Sequence, residues 1–322
     1  MSRKDIKWIS EETRSKYLTG KVYIVTGANS GVGLETTRQL IKQGAHVVMA
    51  CRRIDAAQKE ADTFSGLIGT YDIIRLDLAD LESVRDFVKQ FKVKYDRLDG
   101  LDCNAGMVNM NNKIITKDGI ELTQQVSFYG HFLLTELLLD VLKKTEDSRV
   151  LMLSSVVHAG NKDNRHDLHL EDINFENRKY TSLTAYSEAK LQNVLYAKEL
   201  AKRLENDGVS VFSVHPGWAR SNFYSGGKGM IRVTMGVTMV LMKTFMKLVS
   251  ESNEEAAQTP LHCLVSSEAP KDSGEYFSQR SIFYSDKECR PGGWPLTSPN
   301  PNAHDMNKAK ALVKDAKARV KL

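Results

Sequence analysis

Cysteine is scarce in this chain, and its few cysteines form no pattern typical of a metal site or a disulfide framework. They are Cys51, Cys103, Cys263 and Cys289, four widely spaced residues among 322. No CxxC pair occurs, and no His/Cys cluster has the spacing of zinc ligands. The sequence therefore predicts free thiols in a reducing compartment and no bound metal.

Long apolar segments are missing as well. The first 20 residues contain no apolar stretch of the kind that a signal peptide or an N-terminal anchor requires. The most hydrophobic stretch, residues 230–249, is interrupted by Arg232, Lys243 and Lys247, so its uncharged runs are too short to cross a bilayer as a helix. We therefore expect a cytoplasmic protein, and a peripheral membrane contact stays an open alternative.

The chain also lacks a strong excess of charge on its main part. The formal net charge is +5, but residues 301–322 hold six Lys/Arg and two Asp/Glu, so this segment carries four of the five charges. A nucleic-acid-binding protein concentrates basic residues on a folded face. We therefore expect no nucleic-acid partner.

No internal repeat and no long Gly/Ser-rich linker divides the chain, which indicates a single domain. The segment 290–302, RPGGWPLTSPNPN, is dense in turn-forming residues and predicts the end of compact structure. The predicted organisation is an N-terminal extension over residues 1–19, a domain over 20–289, and a loop with a basic tail over 290–322. The tail is predicted to form a solvated amphipathic helix with Ala309, Leu312, Val313, Ala316 and Val320 on one side.

Short apolar runs alternate with longer amphipathic segments along the domain. The runs KVYIVTG, HVVMAC, YDIIRLDL, RVLMLSS and VSVFSVHPG are mostly apolar without strict alternation. Strands of this kind are typical of a parallel sheet that is covered by helices on both faces. The sequence predicts an α/β fold, a doubly wound Rossmann-type sheet of about seven parallel strands.

A glycine-rich segment, TGANSGVG, follows the first predicted strand where the chain must turn into a helix. Glycine lets the backbone approach a phosphate closely, and the N-terminus of the next helix offers unpaired N–H groups. The segment predicts a pyrophosphate site, and a glycine-rich turn without a ligand is the alternative. Its candidate cofactor-binding residues are Gly27, Asn29, Ser30, Gly31, Val32 and Gly33.

No acidic residue stands at the end of the second predicted strand, where NAD-binding folds hold the ribose hydroxyls. Arg52 and Arg53 occupy this place, and a guanidinium suits the additional 2′-phosphate of NADP. A solvated strand end is the alternative. At the end of the third strand, Asp77 and Leu78 are candidates for the adenine contact, although Asp77 also fits a helix cap.

Tyr186 and Lys190 lie four residues apart in the helical segment AYSEAK, so they share one helix face. A neighbouring ammonium favours the phenolate and lowers the pKa of a tyrosine towards neutral pH. Such pairs also arise by chance in helices. The order of the motifs along the chain supports a catalytic pair, because the glycine loop precedes Ser154-Ser155, the Tyr/Lys pair and then Pro216-Gly217.

On these residues the sequence resembles the short-chain dehydrogenase/reductase family from about residue 20 to residue 280. Within the family it is similar to the retinol dehydrogenase-like branch. The family motifs stand here as TGANSGVG, Asn104-Ala105-Gly106, Ser154-Ser155, Tyr186 to Lys190 and Pro216-Gly217.

The resemblance implies a role for each matched residue, and the arginines at the end of the second predicted strand make NADP(H) the expected cofactor. Tyr186 would be the general acid/base, Lys190 would lower the pKa of Tyr186 and hold the nicotinamide ribose, and Ser155 would bind the substrate oxygen. The resemblance also implies that Asn104, Ala105 and Gly106 line the cofactor beside the central strand. The residues implied near the nicotinamide carboxamide are Pro216, Gly217, Ala219 and Ser221.

Two positions depart from the family pattern. Ser127 stands where the family usually has an asparagine that helps to hold a water in the proton relay to the lysine. A shorter serine hydroxyl still donates and accepts hydrogen bonds, so Ser127 stays among the candidate catalytic residues while the relay geometry is in question. Cys103 replaces the first asparagine of the familiar NNAG motif, and a small buried cysteine suits a structural role in a strand.

The family places a variable lid over the substrate, which corresponds to residues 218–253 in this chain. The lid is rich in methionine and apolar residues, which suits a small hydrophobic substrate such as a retinoid, a steroid or another lipid. Its interspersed basic residues also fit a helix that lies on a membrane surface, and an ordinary core-facing helix is the alternative.

Three functions remain in competition. The first is NADP(H)-dependent hydride transfer to or from a hydrophobic carbonyl or alcohol. The second is reduction of a C=C bond, as in protochlorophyllide reductases, which share much of this pattern. The third is a catalytically weakened cofactor-binding regulatory protein, which Ser127 makes credible. The physiological substrate, the reaction direction and the oligomeric state stay open, a homodimer included.

Overall fold

The structure is a computed structural model. It describes residues 9–110, 112–161, 163–217, 251–279, 281, 283 and 294–322. Most of the predicted lid lies outside these residues, as do the predicted cofactor-binding residues Ala219 and Ser221.

A parallel sheet forms the centre of the molecule. Its strands are β1 Val22–Thr26, β2 His46–Cys51, β3 Thr70–Arg75, β4 Gly100–Cys103, β5 Ser148–Leu153, β6 Val209–His215 and β7 Tyr276–Ser278. They form one seven-stranded sheet in the order β3-β2-β1-β4-β5-β6-β7, and every neighbouring pair is parallel. The strand order reverses between β1 and β4, which opens a crevice at the carboxyl ends of these strands. The prediction of a doubly wound parallel sheet of about seven strands is confirmed.

Helices cover both faces of the sheet. They are α1 Glu11–Ser15, α2 Gly31–Lys42, α3 Ile54–Ala61, α4 Leu81–Lys94, α5 Leu122–Gln124, α6 Gly130–Lys144, α7 Ser182–Arg203, α8 Asn253–Ala256, α9 Gln258–Val265 and α10 Met306–Val320. Residues Gln125–Tyr129 form a π-helical turn between α5 and α6. The long helix α7 begins where the Thr181 side chain accepts a hydrogen bond from the Thr184 N–H.

Two apolar cores lie on opposite faces of the sheet, because successive side chains of a strand point to opposite sides. Val211 of β6 belongs to the core that α4, α6, α7 and α10 cover. Its neighbour Phe212 belongs to the core that α2 and α9 cover. Each fully buried large apolar side chain contributes roughly 1.5–3 kcal/mol to stability, so both helix layers are held firmly to the sheet.

The C-terminal helix α10 differs from the expected solvated tail. The predicted apolar side is present, but Ala309, Leu312, Val313, Ala316 and Val320 are all buried in the first core. The helix packs against α7 and α6. Because α10 is packed in the core, the prediction that compact structure ends near residues 290–302 is wrong. A sequence pattern shows an apolar stripe, but it does not show whether another surface covers that stripe.

The described part of the N-terminal extension also packs on the domain. Ile9 and Leu18 are buried in the second core, and the Lys16 ammonium donates to the Val265 carbonyl of α9 at 3.0 Å. Among the described residues, no helix has the length and apolarity needed to span a membrane.

Candidate active site

The glycine loop between β1 and α2 has a shape that favours glycine. Gly27 and Gly31 have φ values of +67° and +59°, a region that residues with side chains rarely adopt. A Cβ atom on Gly33 would lie 2.3 Å from Nδ2 of Asn104 and 2.9 Å from the Gly27 carbonyl oxygen. Gly33 therefore lets the start of α2 pack directly against the end of β4.

The N-terminus of α2 offers a site for an anion. Ser30 occupies the cap position, but its side chain makes no capping hydrogen bond, and the first turn contains no acidic residue. The first N–H groups and the positive end of the helix dipole therefore stay available. Ser30 is exposed and Asn29 half-buried beside these groups, whereas Val32 is buried. This arrangement fits a pyrophosphate.

Arg52 and Arg53 follow β2 as predicted and are both exposed. Within the described part of the chain, neither guanidinium has a hydrogen bond or an ion pair. A third guanidinium, which was not predicted, belongs to Arg75 on β3. Arg75 pairs in register with Cys51, so three arginines gather at the ends of β2 and β3.

Asp77 shapes the turn after β3 rather than capping α4. Its Oδ1 accepts a hydrogen bond from the Ala79 N–H at 3.1 Å, while Asp80 caps the helix. The alternative in which Asp77 caps the next helix is therefore not observed. Leu78 is buried, and its carbonyl oxygen would lie 2.7 Å from a Cβ atom on Gly130, so it packs against the start of α6.

Asn104 and Ala105 join the end of β4 to the end of β1. Asn104 Nδ2 donates to the Thr26 carbonyl at 2.8 Å, and the Ala105 N–H donates to Thr26 Oγ1 at 2.9 Å. The next residue, Gly106, brings two other candidates together. A Cβ atom on Gly106 would lie 3.4 Å from Lys190 Nζ and 3.7 Å from Ser127 Oγ.

Lys190 is the buried basic group of the site. Its side chain is fully buried, and Nζ donates to the Leu153 carbonyl at 2.6 Å. Burial lowers the pKa of this ammonium to about 7, because a charged group is disfavoured away from water. Nζ lies 5.4 Å from the centre of the Tyr186 ring, so the two predicted partners are neighbours on α7.

Ser155 lies at the end of β5, where a 3₁₀ turn, Val156–Ala159, begins. Ser155 is only 9% exposed, and its Oγ accepts from the Val157 N–H at 3.5 Å. The neighbouring Ser154 Oγ donates to the Lys190 carbonyl at 2.8 Å. This bond holds the end of β5 against the part of α7 that carries Lys190.

Ser127 lies within the π-helical turn and is fully buried. Its hydroxyl has no hydrogen-bond partner among the described residues. Its carbonyl accepts from Asn193 Nδ2 at 3.1 Å, and the same amide donates to the Leu153 carbonyl at 2.9 Å. Asn193 therefore joins the π-helical turn to the carbonyl that binds Lys190. Asn193 was not predicted, although its spacing of three residues from Lys190 was a signal that both share one helix face.

Pro216 and Gly217 directly follow β6. Gly217 has a φ of +82°, and a Cβ atom there would lie 1.8 Å from Oε2 of Glu251. The chain therefore passes close to Glu251 as it enters the lid. Cys103 is fully buried, with Sγ 3.7 Å from Thr135 Oγ1. Over the described ranges, no group of three or more His, Cys, Asp or Glu side chains is arranged to hold a metal ion.

These features define a class of protein: a dinucleotide-binding α/β fold with a tyrosine and a buried lysine beside the nucleotide crevice. The family profile described as short chain dehydrogenase matches residues 21–165. The chain is 39% identical to retinol dehydrogenase 11 of Mus musculus over 280 residues, which are 84% of this chain and 82% of the relative. It is 36% identical to human retinol dehydrogenase 13 over 298 residues, 92% of this chain and 83% of the relative.

Solved structures share the fold. A crystal structure of an uncharacterized protein from Mycobacterium paratuberculosis aligns with a TM-score of 0.69 at 27% identity and covers 95% of both chains. The Pseudomonas aeruginosa RhlG/NADP complex aligns with a TM-score of 0.65 at 20% identity, over 84% of this chain and 98% of the other. The protein belongs to the short-chain dehydrogenase family of oxidoreductases, in its retinol dehydrogenase-like branch.

Proposed function

We propose that this protein transfers hydride between NADP(H) and a hydrophobic carbonyl or alcohol. The observation that carries the proposal is the buried Lys190 ammonium, 5.4 Å from the centre of the Tyr186 ring. An ammonium at this distance favours a phenolate and prepares the tyrosine for proton transfer near neutral pH.

The preference for NADP(H) is supported by the charge at the ends of β2 and β3. Arg52 and Arg53 are exposed beside the crevice, and a 2′-phosphate is the group that their planar donors suit. The cradle for the pyrophosphate is the N-terminus of α2, where no acidic residue competes for the helix dipole. One structural neighbour, RhlG, was solved with NADP.

The cofactor supplies or accepts the hydride when it is bound. In the direction of reduction, the Tyr186 hydroxyl gives its proton to the substrate oxygen as negative charge develops there. The Ser155 hydroxyl donates a hydrogen bond to the same oxygen. Lys190 stabilises the resulting phenolate, and its burial keeps this charge interaction away from the screening of water.

A small hydrophobic substrate is supported by the relatives and by the sequence of the lid. The relatives are named retinol dehydrogenases, and the predicted lid is rich in methionine. A retinoid is therefore the first substrate to test, followed by steroid and aliphatic carbonyls. A cytoplasmic or membrane-peripheral location stays a prediction.

A catalytically weakened cofactor-binding protein is the second candidate function. It is favoured by one observation, the buried hydroxyl of Ser127 without a hydrogen-bond partner among the described residues. The family's asparagine is longer, so a serine at this position changes the geometry of the proton relay to Lys190.

The test is NADPH consumption by the wild-type protein with all-trans-retinal, a ketosteroid and a medium-chain aldehyde. Tyr186→Phe is expected to lower kcat by about 10²–10⁴-fold, because the phenol supplies the proton. NADPH affinity, measured by fluorescence, should stay within about twofold, since the ring still packs. Tyr17→Phe is the matched control, because Tyr17 is 79% exposed and belongs to the N-terminal segment.

Two results would contradict the assignment. Substantial turnover by Tyr186→Phe would remove Tyr186 from the acid/base role. NADPH binding by the wild-type protein without turnover of any carbonyl would favour the regulatory function.

A further inference from the structure

A buried polar chain connects the turn after β5 with a distant segment of the protein. The segment is residues 294–305, which we call the C-terminal connector because it leads into α10. It is anchored to β7 by the Leu296 N–H, which donates to the Tyr276 carbonyl at 2.8 Å, and by Trp294 Nε1, which donates to the Ser278 carbonyl at 2.9 Å.

His158 forms the middle of this chain. Its Nδ1 lies 2.6 Å from the Ser155 carbonyl oxygen, and its Nε2 lies 2.7 Å from Ser298 Oγ. A carbonyl only accepts hydrogen bonds, so Nδ1 must carry the proton. Burial lowers the pKa of the imidazole to about 4, so His158 is neutral near pH 7 and Nε2 accepts the hydroxyl proton of Ser298.

The Ser155 carbonyl thus fixes the tautomer of His158, and the Ser298 hydroxyl supplies the donor that this tautomer requires at Nε2. A proton on Nε2 instead would leave Nδ1 and the carbonyl as two facing acceptors at 2.6 Å. The hydroxyl is itself oriented, because its oxygen accepts from the Asn300 N–H at 3.2 Å. Its own proton completes the hydrogen bond to the unprotonated Nε2 of His158.

Asn300 binds the main chain at two points, one within this turn and one after it. Its Nδ2 donates to the His158 carbonyl at 3.0 Å and to the His166 carbonyl at 2.9 Å. Asn300 and His158 are both fully buried, and Ser298 is 4% exposed. Water therefore does not replace these bonds readily when one partner is removed.

We infer that Ser298 and Asn300 are positioning residues for Ser155, so that the C-terminal connector is part of the active site although it contacts no reacting atom. The inference rests on the proposed function, in which the Ser155 hydroxyl binds the substrate oxygen. Ser155 opens the turn Val156–Ala159 and its Oγ accepts from the Val157 N–H. The turn that the connector holds therefore sets the direction of this hydroxyl.

The connector also contains a natural control. Asn302 is part of the same segment, but its Nδ2 donates to the His166 carbonyl and its Oδ1 accepts from Lys308 Nζ. It makes no contact with His158 or Ser155 among the hydrogen bonds of the described residues. Asn302→Ala therefore weakens the connector without removing the bonds to the turn.

The experiment compares Ser298→Ala, Ser298→Thr, Asn300→Ala and Asn302→Ala in the full-length protein, with NADPH and the best carbonyl of the panel described above. Ser298→Ala and Asn300→Ala are expected to lower kcat about tenfold, because a misdirected donor no longer meets the substrate oxygen. NADPH affinity should stay within about twofold in every variant. Ser298→Thr keeps the hydroxyl and should recover most of the wild-type kcat. Asn302→Ala should have the wild-type kcat.

Amide hydrogen exchange gives a second readout that does not depend on turnover. The His158 N–H donates to the Ser155 carbonyl and the Gly160 N–H to the Val157 carbonyl, so both amides should exchange faster in Ser298→Ala than in Asn302→Ala. Equal rates and equal exchange in Ser298→Ala and the wild type would overturn the inference. An equal loss of kcat in Ser298→Ala and Asn302→Ala would also overturn the inference, because the bonds would then serve only the stability of the connector. A wild-type protein without carbonyl turnover would instead overturn the proposed function itself.

Discussion

The two ends of the nucleotide crevice are built in opposite ways. On the side of β1 to β3, which we call the nucleotide side, the candidate contacts are backbone N–H groups of the glycine loop and exposed side chains such as Arg52. Arg52 has no ion pair within the described ranges. On the side of β5, which we call the C-terminal side because the C-terminal connector and α10 pack there, the contacts are buried side chains. These side chains bind each other although they are far apart in sequence. Ser298 and His158, for example, are 140 residues apart.

This difference predicts that the two sides respond to mutation in different ways. The nucleotide side should lose ligand binding without losing stability, because its side chains support little else. The C-terminal side should lose stability or catalytic rate without changing cofactor preference, because its residues hold other residues in place.

The largest expected effect is on the C-terminal side. Leu312→Ala removes a fully buried side chain from the packing of α10 and should lower the free energy of unfolding by about 2–5 kcal/mol. Lys314→Ala, an exposed position on the same helix, should stay within about 0.5 kcal/mol of the wild type. Urea unfolding measures both changes. A wild-type stability in Leu312→Ala would mean that α10 does not form part of the compact domain in solution.

An intermediate effect is expected on the nucleotide side. Arg52→Ala should weaken NADPH binding by about 1.5–3 kcal/mol, or roughly ten- to a hundredfold, while NADH binding changes little. The reason is that only NADPH carries the additional phosphate. Unfolding should stay unchanged, because Arg52 is exposed.

Lys59→Ala removes an exposed charge on α3 nearby and controls for the general electrostatic field. Titrations followed by nicotinamide fluorescence separate the two cofactors. An equal loss for NADH and NADPH would assign Arg52 to structure rather than to phosphate binding.

The smallest effect, counted per pH unit, concerns Asp102, which lies in the sheet between the two sides. Burial raises the pKa of its carboxyl to about 8, and neither oxygen has a hydrogen-bond partner among the described residues. The unfolded chain releases this proton near pH 3.9, whereas the folded protein keeps it up to about pH 8. This contribution to stability is therefore complete below about pH 4 and is lost as the pH rises towards 8.

Asp102→Asn should remove this dependence, because an amide does not titrate. Between pH 6 and pH 8 the wild type should lose stability relative to the variant by on the order of 1 kcal/mol per pH unit. Asp140→Asn is the control, since the Lys92 ammonium holds the pKa of this exposed carboxyl below its usual range. Parallel curves of Tm against pH for the wild type and Asp102→Asn would show that Asp102 ionises normally in the folded protein.

The parts of the site that follow from the sequence are those that depend on local backbone geometry. The spacing of Tyr186 and Lys190 places both on one side of α7, and the positive φ angles of Gly27 and Gly31 suit the turn that their positions predict. Ser127 was identified as a departure from the family pattern, but its buried surroundings were not visible in the sequence.

Apart from the exposed Arg75, the residues that were missed are buried polar groups whose partners are far away along the chain. Asn193 has no local motif that assigns it to the carbonyls of Ser127 and Leu153. Ser298 and Asn300 lie in a segment whose composition predicts a loop. Composition does describe the local backbone, but it does not show which buried donors and acceptors the loop will satisfy.

The sequence by itself determined the α/β fold class, the glycine turn, the common helix face of Tyr186 and Lys190, and the apolar stripe of the last helix. These features depend on backbone conformation and on the periodicity of neighbouring residues. Only the tertiary structure decided that α10 packs on α7, that Asn193 joins two elements beside Lys190, and that Ser298 reaches His158. The physical reason is that such contacts join distant segments, and which segments meet is set by the packing of the whole chain.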